Sequence, residues 1–235
     1  MKKAIATLLL LSCLFTMVGC LPKEITYGDI VYEKQRNSYS AVRLSEAGRT
    51  KEIIYVPPYI ENAMVVSFGT TPPLMGRSKL YLNSDILKKI YFPWTAYWNF
   101  EVLVNFNNNV YLFSTNVESF AYDLRDSFQI IVPTLYDKHQ LNNNHIIKAN
   151  VTYHFNYEDN PNDGYFFIDL IEETGKLTNP PYDPTREGYN FVGWYKEAEC
   201  KNIWDFEKDE VIIEFDESGE RIYEEIKLFA KWEKQ

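Results

Sequence analysis

Pro184-Thr-Arg-Glu-Gly-Tyr-Asn-Phe-Val-Gly-Trp-Tyr195 is the stretch from which the fold can be read. Proline fixes one backbone angle, and Pro180, Pro181 and Pro184 together set an extended lead-in. Aromatic and aliphatic residues then alternate closely. Successive side chains of a strand point to opposite faces, so Tyr189, Phe191 and Gly193 are expected on one side and Asn190, Val192 and Trp194 on the other. Gly188 and Gly193 mark places where the backbone needs unusual dihedrals or close packing.

Downstream come Trp204-Asp205-Phe206 and the closing run Lys227-Leu228-Phe229-Ala230-Lys231-Trp232. Together with Pro184–Tyr195 these resemble the Listeria–Bacteroides repeat, also called the internalin B-repeat. That family shows Pro-Thr, Gly-Tyr-x-Phe-x-Gly-Trp-Tyr, Trp-Asp-Phe and Leu-Tyr-Ala-Lys-Trp in this order, with Phe229 here in place of the last Tyr. The resemblance implies a small β-grasp-like module on secreted and surface bacterial proteins, without catalytic residues. Trp194, Trp204, Phe206, Phe229 and Trp232 are its expected core pieces. Between Trp-Asp-Phe and the last strand this chain is longer than the family pattern. Val211–Phe215, a turn at Asp216–Gly219, and Arg221–Ile226 suggest an added hairpin.

Upstream, Val151, Tyr153, Phe155 and Tyr157 alternate with Thr152, His154 and Asn156, which predicts a half-buried strand. A turn over Glu158–Gly164 and a second strand over Tyr165–Ile171 complete a hairpin. Asp159–Gly164 has the look of a calcium loop, but Pro161 takes the second ligand position and Leu170 stands where the bidentate Glu belongs, so it reads as a turn. The module is therefore bounded at 150–235.

The N-terminus has a different character. Lys2 and Lys3 precede an apolar run over Ala4–Val18, and Gly19 sits before Cys20. This is the layout of a secretion signal, and the run is shorter than the roughly 20 residues of a spanning helix. Met17-Val18-Gly19-Cys20 resembles a bacterial lipobox, which implies cleavage before Cys20 and lipidation (palmitate among the acyl groups) of its thiol. An ordinary cleaved signal or an uncleaved anchor are the alternatives. Residues 1–19 are thus expected to be the signal peptide and 20–27 a lipid-anchored tether. Cys13 leaves with the signal and Cys20 is blocked by its lipid, so Cys200 has no disulfide partner and reads as structural or incidental rather than catalytic.

Residues 28–149 hold short strand-prone runs. Glu52–Pro57, Lys89–Pro93 and Gln129–Pro133 each stop at a proline, which cannot donate to a sheet ladder. Val65–Phe68, Lys79–Leu82, Val102–Val104 and Val110–Phe113 lie between them. Leu87–Pro93 (Leu-Lys-Lys-Ile-Tyr-Phe-Pro) resembles the Leu-x-x-Ile-x-Ile-Pro of BspA-like leucine-rich repeats, and Phe128–Gln140 resembles the closing repeat of such an array. That implies a short parallel sheet along a curved ladder. Pro57, Pro93 and Pro133 fall 36 and 40 residues apart, whereas such a repeat runs about 20–29. An irregular β domain whose strands merely end at proline is the alternative.

The fold class is accordingly mainly β, a degenerate leucine-rich-repeat-like domain followed by the B-repeat module. The 16% aromatic content, with 18 Tyr and 15 Phe, suits pleated, half-buried surfaces. The formal charge is −9, and residues 151–235, with 9 Lys+Arg and 21 Asp+Glu, carry −12 of it. An acidic face does not suit nucleic acid as a partner.

The chain has no Gly-rich phosphate loop, no Gly-x-Ser-x-Gly elbow and no Cys-x-x-Cys pair, and His139, His145 and His154 lack metal-ligand spacing. No metal, cofactor or enzymatic activity is expected. Phe92–Phe100 is the densest aromatic cluster; Trp94, Tyr97 and Trp98 are candidates for stacking on a sugar or peptide if exposed, and core if buried. The expected function is a lipid-anchored, extracytoplasmic binding or adhesion protein, meeting the membrane through its lipid and an extracellular protein or glycan through its domains. The alternatives are a surface spacer, or a hydrolase on an unrecognised scaffold.

Overall fold

The runs that end at proline become rungs of one parallel sheet. A computed structural model describes residues 23–69, 78–96, 100–104, 110–115, 128–135, 146–219, 221–222 and 225–235. In chain order its strands are β1 (Glu24–Tyr27), β2 (Ile30–Lys34), β3 (Ser38–Leu44), β4 (Ile53–Tyr55), β5 (Tyr59–Ile60), β6 (Ala63–Phe68), β7 (Ser78–Leu82), β8 (Lys89–Tyr91) and β9 (Phe100–Val104). There follow β10 (Val110–Phe113), β11 (Phe128–Val132), β12 (Ile146–Lys148), β13 (Val151–His154), β14 (Tyr165–Asp169), β15 (Tyr189–Tyr195), β16 (Glu214–Phe215), β17 (Arg221–Ile222) and β18 (Ile226–Lys234). Among the described residues there is no α-helix. The protein is mainly β.

The central sheet has the order β12-β11-β10-β8-β4, with its pairs parallel. Ile53 pairs with Lys89, Lys89 with Tyr111, Tyr111 with Gln129, and Ile130 with Ile146, so successive rungs lie 36, 22, 18 and 16 residues apart. Pro57, Pro93 and Pro133 follow rungs β4, β8 and β11. The 40-residue interval between the last two prolines hides an extra rung, β10, which no proline ends. Backbone bonds prolong the ladder past the strand ends: Phe92 N donates to Phe113 O at 2.9 Å, and Ser114 N to Ile131 O at 3.0 Å.

This sheet is covered on both faces. Ile54, Ile90, Leu112 and Ile130 occupy equivalent rung positions and face one cluster, shared with Tyr32, Tyr39, Leu44, Phe68, Leu80 and Leu82. Those partners come from a second sheet, β1-β2-β3-β6-β5 with β7 and β9 attached. The next rung positions, Tyr55, Tyr91, Phe113, Ile131 and Ile147, face the other way, into a cluster built with the C-terminal sheet. Burial on both faces explains runs such as Ile-Ile-Tyr and Phe-Gln-Ile-Ile-Val, which carry little polar alternation. Tyr55 stacks on Tyr91 at 4.8 Å and Tyr91 on Phe113 at 4.3 Å between ring centroids, one aromatic per rung.

The C-terminal sheet runs β14-β13-β18-β15. The hairpin expected from Asn150–Ile171 is β13–β14, and Val151, Tyr153 and Phe155 are buried as the alternation predicts. The closing run forms β18 at the sheet centre, parallel to β13 and antiparallel to β15. Trp232 Nε1 donates to Phe155 O at 2.6 Å.

Two expectations need correcting. Strict alternation over Tyr189–Tyr195 fails because the register with β18 shifts between Phe191 and Gly193. Gly193 takes φ +154°, a conformation that L side chains rarely adopt, and a β-bulge forms there. The bulge puts Phe191 and Trp194 into the same core cluster and leaves Val192 exposed. Residues 24–27, expected within the tether, pair as β1 with β2, and Arg43 holds Glu24 through two bonds of 2.6 and 2.7 Å. The hairpin expected from the extra length before β18 is present, with Glu214 opposite Ile222 and Phe215 opposite Arg221.

Candidate functional site

Of the residues singled out in the aromatic cluster, Trp94 is described; Tyr97 and Trp98 lie outside the described residues, as does Cys20. Trp94 sits in the turn after β8, which Ala96 N closes onto Pro93 O and Thr95 Oγ1 pins to Val65 O at 2.6 Å. Its indole is half-buried. It meets Phe155 edge-on at 5.5 Å and Tyr59 at 6.3 Å. Trp94 thus spans from the ladder to the C-terminal sheet. It borders a cleft with Tyr55, Pro58, Phe166, Pro180 and Tyr182 whose interior, about 20 Å³, admits one water.

Asp169 lies at the centre of the same seam and is 2% exposed. Its Oδ1 accepts from Tyr91 Oη and from the Leu170 N–H, both at 2.8 Å, and its Oδ2 accepts from Thr178 Oγ1 at 2.5 Å. Lys89 Nζ stands 3.8 Å away. Burial first, then the Asp169 carboxylate, pushes the Tyr91 phenol far above its ordinary range, so Tyr91 remains a donor. Tyr153 beside it is shifted the same way by the same two causes. Both carboxylate oxygens are committed inside the protein, so the group joins the ladder to the C-terminal sheet rather than facing a substrate. Sequence reading passed it over, although an acid inside Phe166-Phe167-Ile168-Asp169-Leu170-Ile171 is a signal: a buried charge needs partners.

His154 is on the other face of β13. Its ring stacks on Phe229 at 5.2 Å, tilts against Tyr165, and shares a 2.9 Å hydrogen bond with Thr152 Oγ1. Burial, with Lys227 adding repulsion, lowers its pKa to about 4, so the imidazole is neutral at pH 7. His139 and His145 lie outside the described residues. Among the described residues, no three His, Cys, Asp or Glu side chains gather as a metal site. Asp159–Gly164 folds as a turn: Asn160 and Asn162 spend their amides on the Tyr157 and Tyr165 carbonyls, and Asp159, Asn162 and Asp163 take positive φ. Burial raises the pKa of Cys200 and so leaves it no activated thiolate, although the Asn156 Nδ2 donor at 3.3 Å pulls the other way.

A larger concavity, about 330 Å³, opens between β18 and the β16–β17 hairpin. Trp204, Val211, Ile212, Ile213, Ile222 and Ile226 give it an apolar lining. Asn150, Glu210 and Glu214 complete the wall.

Comparison with known proteins accounts for the C-terminal sheet. Residues 150–231 match the Listeria-Bacteroides repeat domain, so this part of the chain carries that domain. Two proteins of Evansella cellulosilytica are similar. One, named "Putative membrane protein", is 35% identical over 72 residues, which is 31% of this chain. The other, named "Putative Gly-rich membrane protein", is 30% identical over 100 residues, or 43% of this chain. The matched segment spans 9% of the length of each relative. No helix among the described residues is long and apolar enough to cross a membrane.

Proposed function

We propose that this is a bacterial cell-surface protein, held at the membrane by a lipid on Cys20, whose β domains bind an extracellular partner and catalyse nothing. The observation that carries the reading is the Listeria-Bacteroides repeat domain over residues 150–231. The names of the two relatives support a place at the membrane, and Met17–Cys20 supplies a means of anchoring without a spanning helix. Two acyl chains hold a protein stably at a bilayer, whereas one is marginal.

The reading extends to the two folds. The parallel ladder β4-β8-β10-β11-β12, with shortening intervals and rungs that end at proline, supports a degenerate leucine-rich-repeat-like array over residues 28–149. The mixed β14-β13-β18-β15 sheet supports a β-grasp-like module over 150–235. One observation favours the spacer alternative. Tyr91, Phe113 and Ile131 share a core with Tyr153, Phe167 and Trp194 across the boundary at 149/150, which suits a stiff mechanical unit.

Anchoring is tested by feeding cells an alkyne fatty acid and following the tag. The wild-type chain should take the label and fractionate with membranes; Cys20→Ala should do neither. Label retained in Cys20→Ala would overturn the lipid assignment. Binding is tested by presenting the mature protein to arrays of matrix proteins and glycans. Saturable capture supports the binding role, and a blank array together with cell-surface display supports the spacer.

A further inference from the structure

Residues 205–225 hold ten Asp and Glu against two Lys and Arg. Asp205, Asp209, Glu210 and Glu225 pair with Lys208, Lys196, Lys176 and Lys148, while Glu214 stands in the groove wall outside these pairs. Within this acidic segment lies an apolar groove. Ile212 is 75% exposed and Ile222 48%, and both line the concavity with Val211, Ile213 and Ile226. Aliphatic side chains left open inside an acidic rim mark an interaction surface rather than a solvated face. The hairpin beside them is a two-stranded sheet, and among the described residues neither β16 nor β17 pairs with a third strand. Among the described residues its outer edges are thus unpaired, the arrangement that strand addition uses. Trp204, in the groove wall, has a buried indole N–H with no acceptor among the described residues. The donor itself is covered by the protein, so the Trp204 ring, as part of the groove wall, serves as a reporter of what enters the groove rather than as a hydrogen-bonding partner.

We propose that the groove between β18 and the β16–β17 hairpin docks an extended basic strand of a partner protein, its aliphatic side chains on Ile212, Ile213 and Ile222 and its Lys or Arg side chains on the acidic rim. The negative rim repels an anionic membrane surface, and the apolar floor gives a purely polar polycation little to bury. An alternating Lys-Ile strand satisfies both, because successive side chains of a strand face opposite ways. The inference goes beyond lipid anchoring and does not depend on it: the groove binds whether or not Cys20 is acylated.

The test titrates the ¹⁵N-labelled full chain with a capped pentapeptide alternating lysine and isoleucine, and separately with its glutamate–isoleucine counterpart. Trp204→Phe assigns the Trp204 indole resonance. Saturable binding of the lysine peptide that moves this resonance, weakens with added salt and falls about tenfold or more in Ile212→Asp/Ile222→Asp supports the proposal. Both substituted side chains are exposed, and an unchanged melting temperature checks the fold. Glu214→Lys should weaken binding by itself and carries the test if the double variant melts early. Equal binding of the two peptides, no binding of the lysine peptide, or undiminished binding to the variants would overturn it.

Discussion

Replacing Asp169 tests whether the ladder and the repeat domain stand as one body. In Asp169→Ala, the Tyr91 hydroxyl, the Thr178 hydroxyl and the Leu170 N–H lose their acceptor together. A buried donor without a partner costs about 1–3 kcal/mol. The space vacated by the carboxylate admits a water that restores part of this, so the expected loss is about 3–5 kcal/mol, a large share of the roughly 5–15 kcal/mol that holds a domain folded. Asp169→Asn keeps one acceptor oxygen, and its amide can donate to the Thr178 hydroxyl, so about 1–2 kcal/mol is expected. Tyr91→Phe removes one donor and leaves the carboxylate its other partners, so it should fall near Asn. Urea unfolding followed by tryptophan fluorescence measures all three. With a slope of about 2–3 kcal/mol/M, Asp169→Ala should lower the midpoint by about 1–2.5 M. A double-mutant cycle of Tyr91→Phe with Asp169→Ala should show coupling of about 1 kcal/mol or more, since the two side chains are in contact. An unchanged midpoint in Asp169→Ala, or additive single effects, would refute the idea that this carboxylate joins the two sheets.

Acid should weaken the fold through His154. Its folded pKa of about 4 lies below the ordinary 6.5, so the unfolded chain takes up the proton first. Stability contributed by the neutral ring is present above pH 6.5, declines as pH falls toward 4, and reaches a loss of about 3 kcal/mol below that. His154→Phe keeps the stacking on Phe229 and should show a shallower loss between pH 7 and 4; identical profiles would count against this. Gly48→Ala should cost more than about 2 kcal/mol in chemical unfolding, because the new Cβ would lie 2.0 Å from the Asp29 carbonyl oxygen, a backbone atom that cannot yield cheaply. Trp94→Ala should lower stability by about 2 kcal/mol, through lost contacts with Phe155 and Tyr59; unchanged stability with loss of glycan or peptide capture would instead make Trp94 part of a platform.

Much of the strand inventory could be read from residue order, because local chemistry sets it. The prolines after Val56, Phe92 and Val132 stop hydrogen-bond ladders wherever they stand, so the rungs they end could be located. Alternation over Val151–Tyr157 reported a strand and its apolar face, but not that Thr152 and His154 on the opposite face are covered too. The Gly-Tyr-x-Phe-x-Gly-Trp-Tyr and Trp-Asp-Phe patterns marked the repeat domain, which the comparison places at residues 150–231. Val110–Phe113 was visible as a run but not as a rung, and Ile146–Lys148 passed unnoticed. Both lie in a sheet buried on two faces, where an apolar run has no period to betray its neighbours.

By itself, then, the order of residues determined which segments extend, where they stop and which side of β13 is greasy. Only tertiary structure decided partnership. Tyr91 and Asp169 are 78 positions apart in the chain, and nothing local to either names the other. The same holds for the shift at Gly193, which brings Phe191 and Trp194 into one core, and for the groove that leaves Ile212 and Ile222 facing acidic neighbours. Backbone preference acts within a few residues, whereas burial on two faces, bulge register and the pairing of a buried charge exist only once distant segments share a volume.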